Sequence, residues 1–118
     1  MSVSLALMTR LFQLLTERKF AEAERILERI TERMKKNEQK EFNRGYLEAL
    51  CGMILTYRSS GDSCEFFSKL DLNDVEALKR CYRDFKQNSE SQFHADYDRG
   101  YFSALAEYIR VVLRNVQG

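Results

Sequence analysis

Apolar residues recur at helical spacing along most of the chain and nowhere alternate over a strand-length run. Leu5, Met8, Leu11, Phe12 and Leu15 share one face of a first helix predicted over Ser4 to Thr16. Beyond a tight turn at Glu17 to Lys19, the stripe Phe20, Ala23, Ile26, Leu27, Ile30 and Met34 predicts a second helix, Phe20 to Lys36. A third covers Gln39 to Arg58 and stops at Ser59-Ser60-Gly61. Asp62 followed by Glu65 has the form of a capping box and predicts a short connecting helix through Lys69. Asn73 with Glu76 repeats that start signal for a fourth long helix, Asp74 to Gln87. A polar loop at Asn88 to Glu90 leads to the last helix, Ala95 to Val116. The fold class is therefore all-α: a bundle of about five long helices and one short connecting helix, with residues 1–118 forming a single helical domain.

The chain resembles itself. Phe42-Asn43-Arg44-Gly45-Tyr46-Leu47-Glu48-Ala49-Leu50 returns 55 residues on as Tyr97-Asp98-Arg99-Gly100-Tyr101-Phe102-Ser103-Ala104-Leu105, and Ile54 falls on Ile109. At the same offset, and without a gap, Phe20, Ala23, Ile26, Leu27 and Ile30 fall on Val75, Leu78, Cys81, Tyr82 and Phe85. The unit is a helix–loop–helix, residues 20–57 and 75–112, and neither copy can cover its own apolar face. Pairing the copies about a pseudo-two-fold axis gives a four-helix core, with the N-terminal helix covering one side.

Glycine inside a helix costs about 1 kcal/mol relative to alanine, so its presence in both copies calls for an offsetting contact. Gly45, Ala49 and Gly52 form a small-residue stripe, and Gly100 with Ala104 copies its first half. Close approach of the two helices follows, with Tyr46 and Tyr101 flanking the crossing, their rings buried and their hydroxyls in need of partners.

Nineteen basic residues against eighteen acidic ones leave a net charge of +1. That argues against general nucleic-acid binding, which draws its affinity from neutralised phosphates, but leaves room for a local basic patch. No apolar run approaches the ~20 residues that span a bilayer, and the leucine-rich start lacks the charge and cleavage pattern of a signal peptide. Cys51, Cys64 and Cys81 are widely spaced, which fits reduced thiols in the cytoplasm better than a disulfide framework or a zinc site. The expectation is a cytoplasmic protein with no membrane association and no cofactor. The carboxylates converge on no single helix face, His94 stands alone in a loop, and no nucleophile or phosphate-loop motif occurs, so no catalytic or metal residues are assigned.

The candidate ligand-binding set is the repeated Arg-Gly-Tyr: Arg44 and Arg99 to hold a carboxylate or phosphate, with Tyr46 and Tyr101 as hydrogen-bonding walls. The competing reading is architectural, because Glu41 and Asp96 each precede an arginine by three residues and can pair with it locally. Thr16 to Ala23, followed by Leu27 and Ile30, resembles the middle of one tetratricopeptide unit; that likeness covers about fifteen residues, lacks the 34-residue period, and implies no more than helical-hairpin packing. The leading functional expectation is a non-enzymatic interaction or scaffold protein that binds a protein partner or a second copy of itself. Leu7, Leu14, Phe66, Phe67, Val111, Val112, Leu113 and Val116 supply apolar surface beyond the expected needs of one small bundle. The alternatives are a small-anion or nucleotide-binding domain at Arg44/Arg99, and an RNA- or ribosome-associated protein using Arg33, Lys35, Lys36, Lys40 and Arg44.

Overall fold

The computed structural model describes residues 5–36, 38–58 and 74–117, and these form five helices and no strand. They are α1 (Leu5–Thr16), α2 (Phe20–Met34), α3 (Lys40–Arg58), α4 (Val75–Ser89) and α5 (Asp96–Gln117). The short helix expected at Asp62 to Lys69, with Phe66, Phe67 and Cys64, lies outside the described residues. α3 and α5 make the most extensive contact, α4 packs on α5, and α2 packs on α3, giving a helical bundle.

The α1–α2 turn closes without glycine. Lys19 N–H bonds Leu14 O at 2.8 Å and Arg18 N–H bonds Leu15 O at 3.1 Å, with Arg18 itself at φ +59°. This is the reversal in which glycine usually sits, and a side chain there costs roughly 1–2 kcal/mol. Arg18 has contacts that offset the strain. Its Nη1 donates to Tyr57 O near the C-terminus of α3 at 3.0 Å, where a cation also complements the helix dipole. Its guanidinium lies 5.1 Å from the centre of the Phe20 ring, and Arg58, which pairs with Glu24 at 2.7 Å, lies 5.9 Å from the same ring. Elsewhere, α2 and α3 are tied by Asn43 Nδ2, which donates to Met34 O at 2.9 Å. α4 is capped by Asp74, whose side chain accepts from Ala77 N–H at 3.1 Å. The cap is thus one residue later than the Asn73 expected from sequence, and Asn73 falls outside the described residues.

α3 and α5 cross near their N-terminal ends. A methyl group built on Gly45 would stand 1.9 Å from Tyr97 O, and one built on Gly100 would stand 1.9 Å from Phe42 O. The two contacts are reciprocal: each glycine meets the carbonyl of the residue three positions before the other glycine, the relation that a two-fold axis imposes on equivalent surfaces. Gly52 does not belong to this contact, since a methyl there would meet nothing within 4 Å. Farther along, the fully buried Tyr108 hydroxyl and the Tyr57 hydroxyl lie 2.7 Å apart, and Phe12 of α1 meets the Tyr108 ring edge-on. Burial holds both hydroxyls protonated beyond the ordinary tyrosine range, more strongly for Tyr108.

α1 is more than a lid on one side. It packs against α2, α3 and α5, so Leu7 and Leu14 are buried along with Met8, Leu11 and Leu15. Val111 and Val112 are buried too. Leu113 is half-buried against this core, so the apolar surplus expected for an interface is spent on the core at Leu7, Leu14, Val111 and Val112. Cys51 lies on the solvent-facing side of α3 with its thiol partly covered.

The geometry fixes the sign of three alanine substitutions in chemical denaturation. Gly45→Ala and Gly100→Ala are each expected to destabilise by at least about 2 kcal/mol, because the new methyl meets rigid backbone. Gly52→Ala is expected to stabilise by up to about 1 kcal/mol through helix propensity alone.

Candidate functional site

The Arg-Gly-Tyr residues are brought to one crossing but not to one pocket. Arg44 Nη1 donates to both oxygens of Glu41, at 3.0 and 3.1 Å, and its guanidinium stands 5.6 Å from the centre of the Tyr97 ring on α5. Arg99 pairs with Asp96. Its Nε is shielded from solvent with no hydrogen-bond partner among the described residues. Each arginine thus binds the carboxylate one helical turn earlier, the local pairing that the i, i+3 spacing allows.

The two tyrosines part company. Tyr46 is fully buried, and its hydroxyl donates to Glu107 Oε1 at 2.6 Å. Tyr101 is 38% exposed, against the expectation of a buried ring. The difference follows from the residues opposite. Glu107 of α5 stands 55 residues beyond Gly52 of α3, so at the matching position α3 has no carboxylate to offer Tyr101. Nothing in helical spacing marks Glu107 as a partner; only its place opposite a glycine in the repeat could have drawn attention to it.

Two grooves flank the crossing. One, of about 320 Å³ between α4 and α5, is lined by Phe42, Tyr82, Lys86, Glu90, Glu107 and Arg110 among others. Lys86 pairs there with Glu90 at 3.0 Å, which raises the lysine's pKa through the hydrogen bond first and then the carboxylate's charge. The other, of about 400 Å³ between α2 and α3, is lined by Thr31, Met34, Lys35, Lys40, Asn43, Arg44 and Leu47. Arg99, Tyr46 and Tyr101 do not line it. Arg33 lies instead in a shallow charged depression along α2 with Arg25 and Arg29. Glu32, which helical spacing offers to Arg29, bonds Lys35 at 3.2 Å.

The reactive side chains are quiet. Burial, then the nearby Glu48 and Glu24, raise the Cys51 thiol above its ordinary pKa. Burial and Asp84 raise Cys81, with Arg80 opposing. Neither environment makes a thiolate nucleophile. The His94 ring is 3.3 Å from Asn88 Oδ1 through Nε2 and packs on Phe102, so it ties the α4–α5 turn to α5. Among the described residues no group of three His, Cys, Asp or Glu side chains is placed to hold a metal ion, and no helix is long and apolar enough to cross a membrane. Comparison with known proteins finds no matching family model, no matching curated protein and no matching solved structure.

The two tyrosines should separate in stability measurements. Tyr46→Phe leaves Glu107 without that donor and is expected to cost about 1–3 kcal/mol, whereas Tyr101→Phe is expected to change stability by no more than about 0.5 kcal/mol.

Proposed function

We propose that this chain is a non-enzymatic interaction protein of the cytoplasm, a single helical domain over residues 1–118 that arose by duplication of a helix–loop–helix, residues 20–57 and 75–112. The reciprocal Gly45–Tyr97 and Gly100–Phe42 contacts support the duplication, since they pair positions related by the same offset that aligns the sequence. The interaction reading rests on one side chain. Phe93, in the α4–α5 turn, is 98% exposed. The turn that carries it is tied down: Phe93 N–H bonds Ser91 Oγ at 3.2 Å, and the next residue, His94, is packed on Phe102. A phenylalanine held out of the core by its neighbours is an anchor without a socket. Burying one is worth about 1.5–3 kcal/mol, and aromatic anchors of this kind dominate protein interfaces.

The anion-binding alternative at Arg44 and Arg99 draws no comparable support, because the two guanidinium groups do not share a pocket: Arg44 lines the α2–α3 groove and Arg99 does not. Cytoplasmic residence fits the free Cys51 and Cys81 thiols.

A photo-cross-linking phenylalanine analogue placed at position 93 tests the reading. A discrete adduct to a polypeptide, whether a second copy or another protein, is expected from position 93 and not from the same analogue at the exposed Arg83 on α4. Equal, diffuse labelling from both positions would contradict it.

A further inference from the structure

The two hairpin turns present complementary surfaces. At the α2–α3 end, the groove has an aliphatic floor of Met34, Leu47 and Thr31, whose hydroxyl bonds Leu27 O at 2.8 Å. Its rim carries three cations, Lys35, Lys40 and Arg44, and no carboxylate lines it among the described residues. Lys35 and Arg44 hold exposed carboxylates that water and salt exchange readily. Lys40 has no ion-pair partner among the described residues. At the α4–α5 end, the protruding Phe93 lies in the chain between Glu90, which pairs with Lys86, and Asp96 and Asp98, of which Asp96 pairs with Arg99. Between positions 55 apart Lys35 answers to Glu90 and the neutral Asn43 to Asp98, while Glu41 and Asp96 keep one sign and Arg44 and Arg99 the other. One end is a basic socket and the other a knob flanked by acids in the chain.

Knob and socket are also neighbours. Arg44, on the rim of the socket, lies over the ring of Tyr97, four residues beyond Phe93. Phe93 does not fill the socket of its own chain, since it is almost wholly in solvent. We infer that two copies of this chain form a closed two-fold dimer in which Phe93 of each copy enters the α2–α3 groove of the other and its acidic neighbours meet the Lys35–Lys40–Arg44 rim. The inference rests on the interaction reading above and names the partner. A knob beside a socket gives an isologous contact, made twice, so that assembly stops at two instead of continuing as a filament. The floor selects an aromatic side chain over a nucleic acid: bases bind by stacking on aromatic rings, and among the described residues no ring lines this groove.

Sedimentation velocity of the full chain over a concentration series tests the inference. The wild type is expected to show a monomer–dimer equilibrium that weakens as salt rises, since salt screens the exposed charges of the contact. Phe93→Asp is expected to raise the dimer Kd at least about a hundred-fold, two phenylalanines being lost per dimer. Because the side chain lies outside the core, the circular dichroism melt is expected not to change. Lys40→Glu, also exposed, is expected to raise the Kd about ten-fold. A wild type that is monomeric at every concentration measured overturns the dimer, as does a dimer indifferent to Phe93→Asp. A dimer that depends on Phe93 but ignores both Lys40→Glu and salt overturns the groove as its seat. A monomer that still cross-links another polypeptide from position 93 overturns self-association alone and leaves the interaction reading standing; loss of both signals removes both.

Discussion

Two carbonyl oxygens, those of Phe42 and Tyr97, occupy the space that side chains at positions 100 and 45 would need. This mutual exclusion is the constraint on which the rest of the molecule depends. It lets α3 and α5 touch backbone to backbone close to where each helix begins. Both hairpin turns are thereby brought next to the crossing, and Arg44 of one helix comes within reach of Tyr97 of the other. The same closeness places Tyr46 where its hydroxyl reaches Glu107 across the interface. An intrahelical glycine is costly by itself. Here the cost is offset by contact that no other residue permits.

Much of the fold is legible in the sequence, because helical spacing and the placement of polar breaks are local properties. The apolar stripes of α1 and α2 and the repeated Arg-Gly-Tyr lead directly to the observed helices and to a glycine crossing. Gly52 shows where local reasoning ends. Seven residues bring it back to the face that carries Gly45, but they also carry it about 10 Å along the axis, and crossing helices diverge over that distance. The apolar residues of α1 fail for a related reason. A stripe shows which face is buried in one neighbour, whereas α1 has three neighbours and hides Leu7 and Leu14 as well. Arg18 in a left-handed turn could not be read at all, since its contacts, Tyr57 O above all, lie far along the chain.

The candidate site was legible in its residues but not in its roles. Spacing alone shows that Arg44 and Arg99 have carboxylates one turn away, and those pairs form. It cannot show that Tyr46 and Tyr101 differ, because the difference is made by Glu107 and Gly52 on the opposing helices. The exposure of Phe93 is not legible in the sequence for a similar reason. A phenylalanine just ahead of a helix would ordinarily pack back onto it, and here the neighbouring His94 occupies that place against Phe102. The two ends of the bundle thus differ in their side chains: cations rim an aliphatic groove at one, and a ring stands exposed at the other.

The central claim is geometric, and solution NMR addresses it most directly through contacts between protons on α3 and α5. The account expects nuclear Overhauser effects between the α-protons of Gly100 and Phe42, and between the α-protons of Gly45 and the amide proton of Tyr101, because these backbones are in contact. Well-resolved intrahelical effects for both segments, with neither interhelical pair present, would show that the helices do not meet at their glycines and would contradict the account.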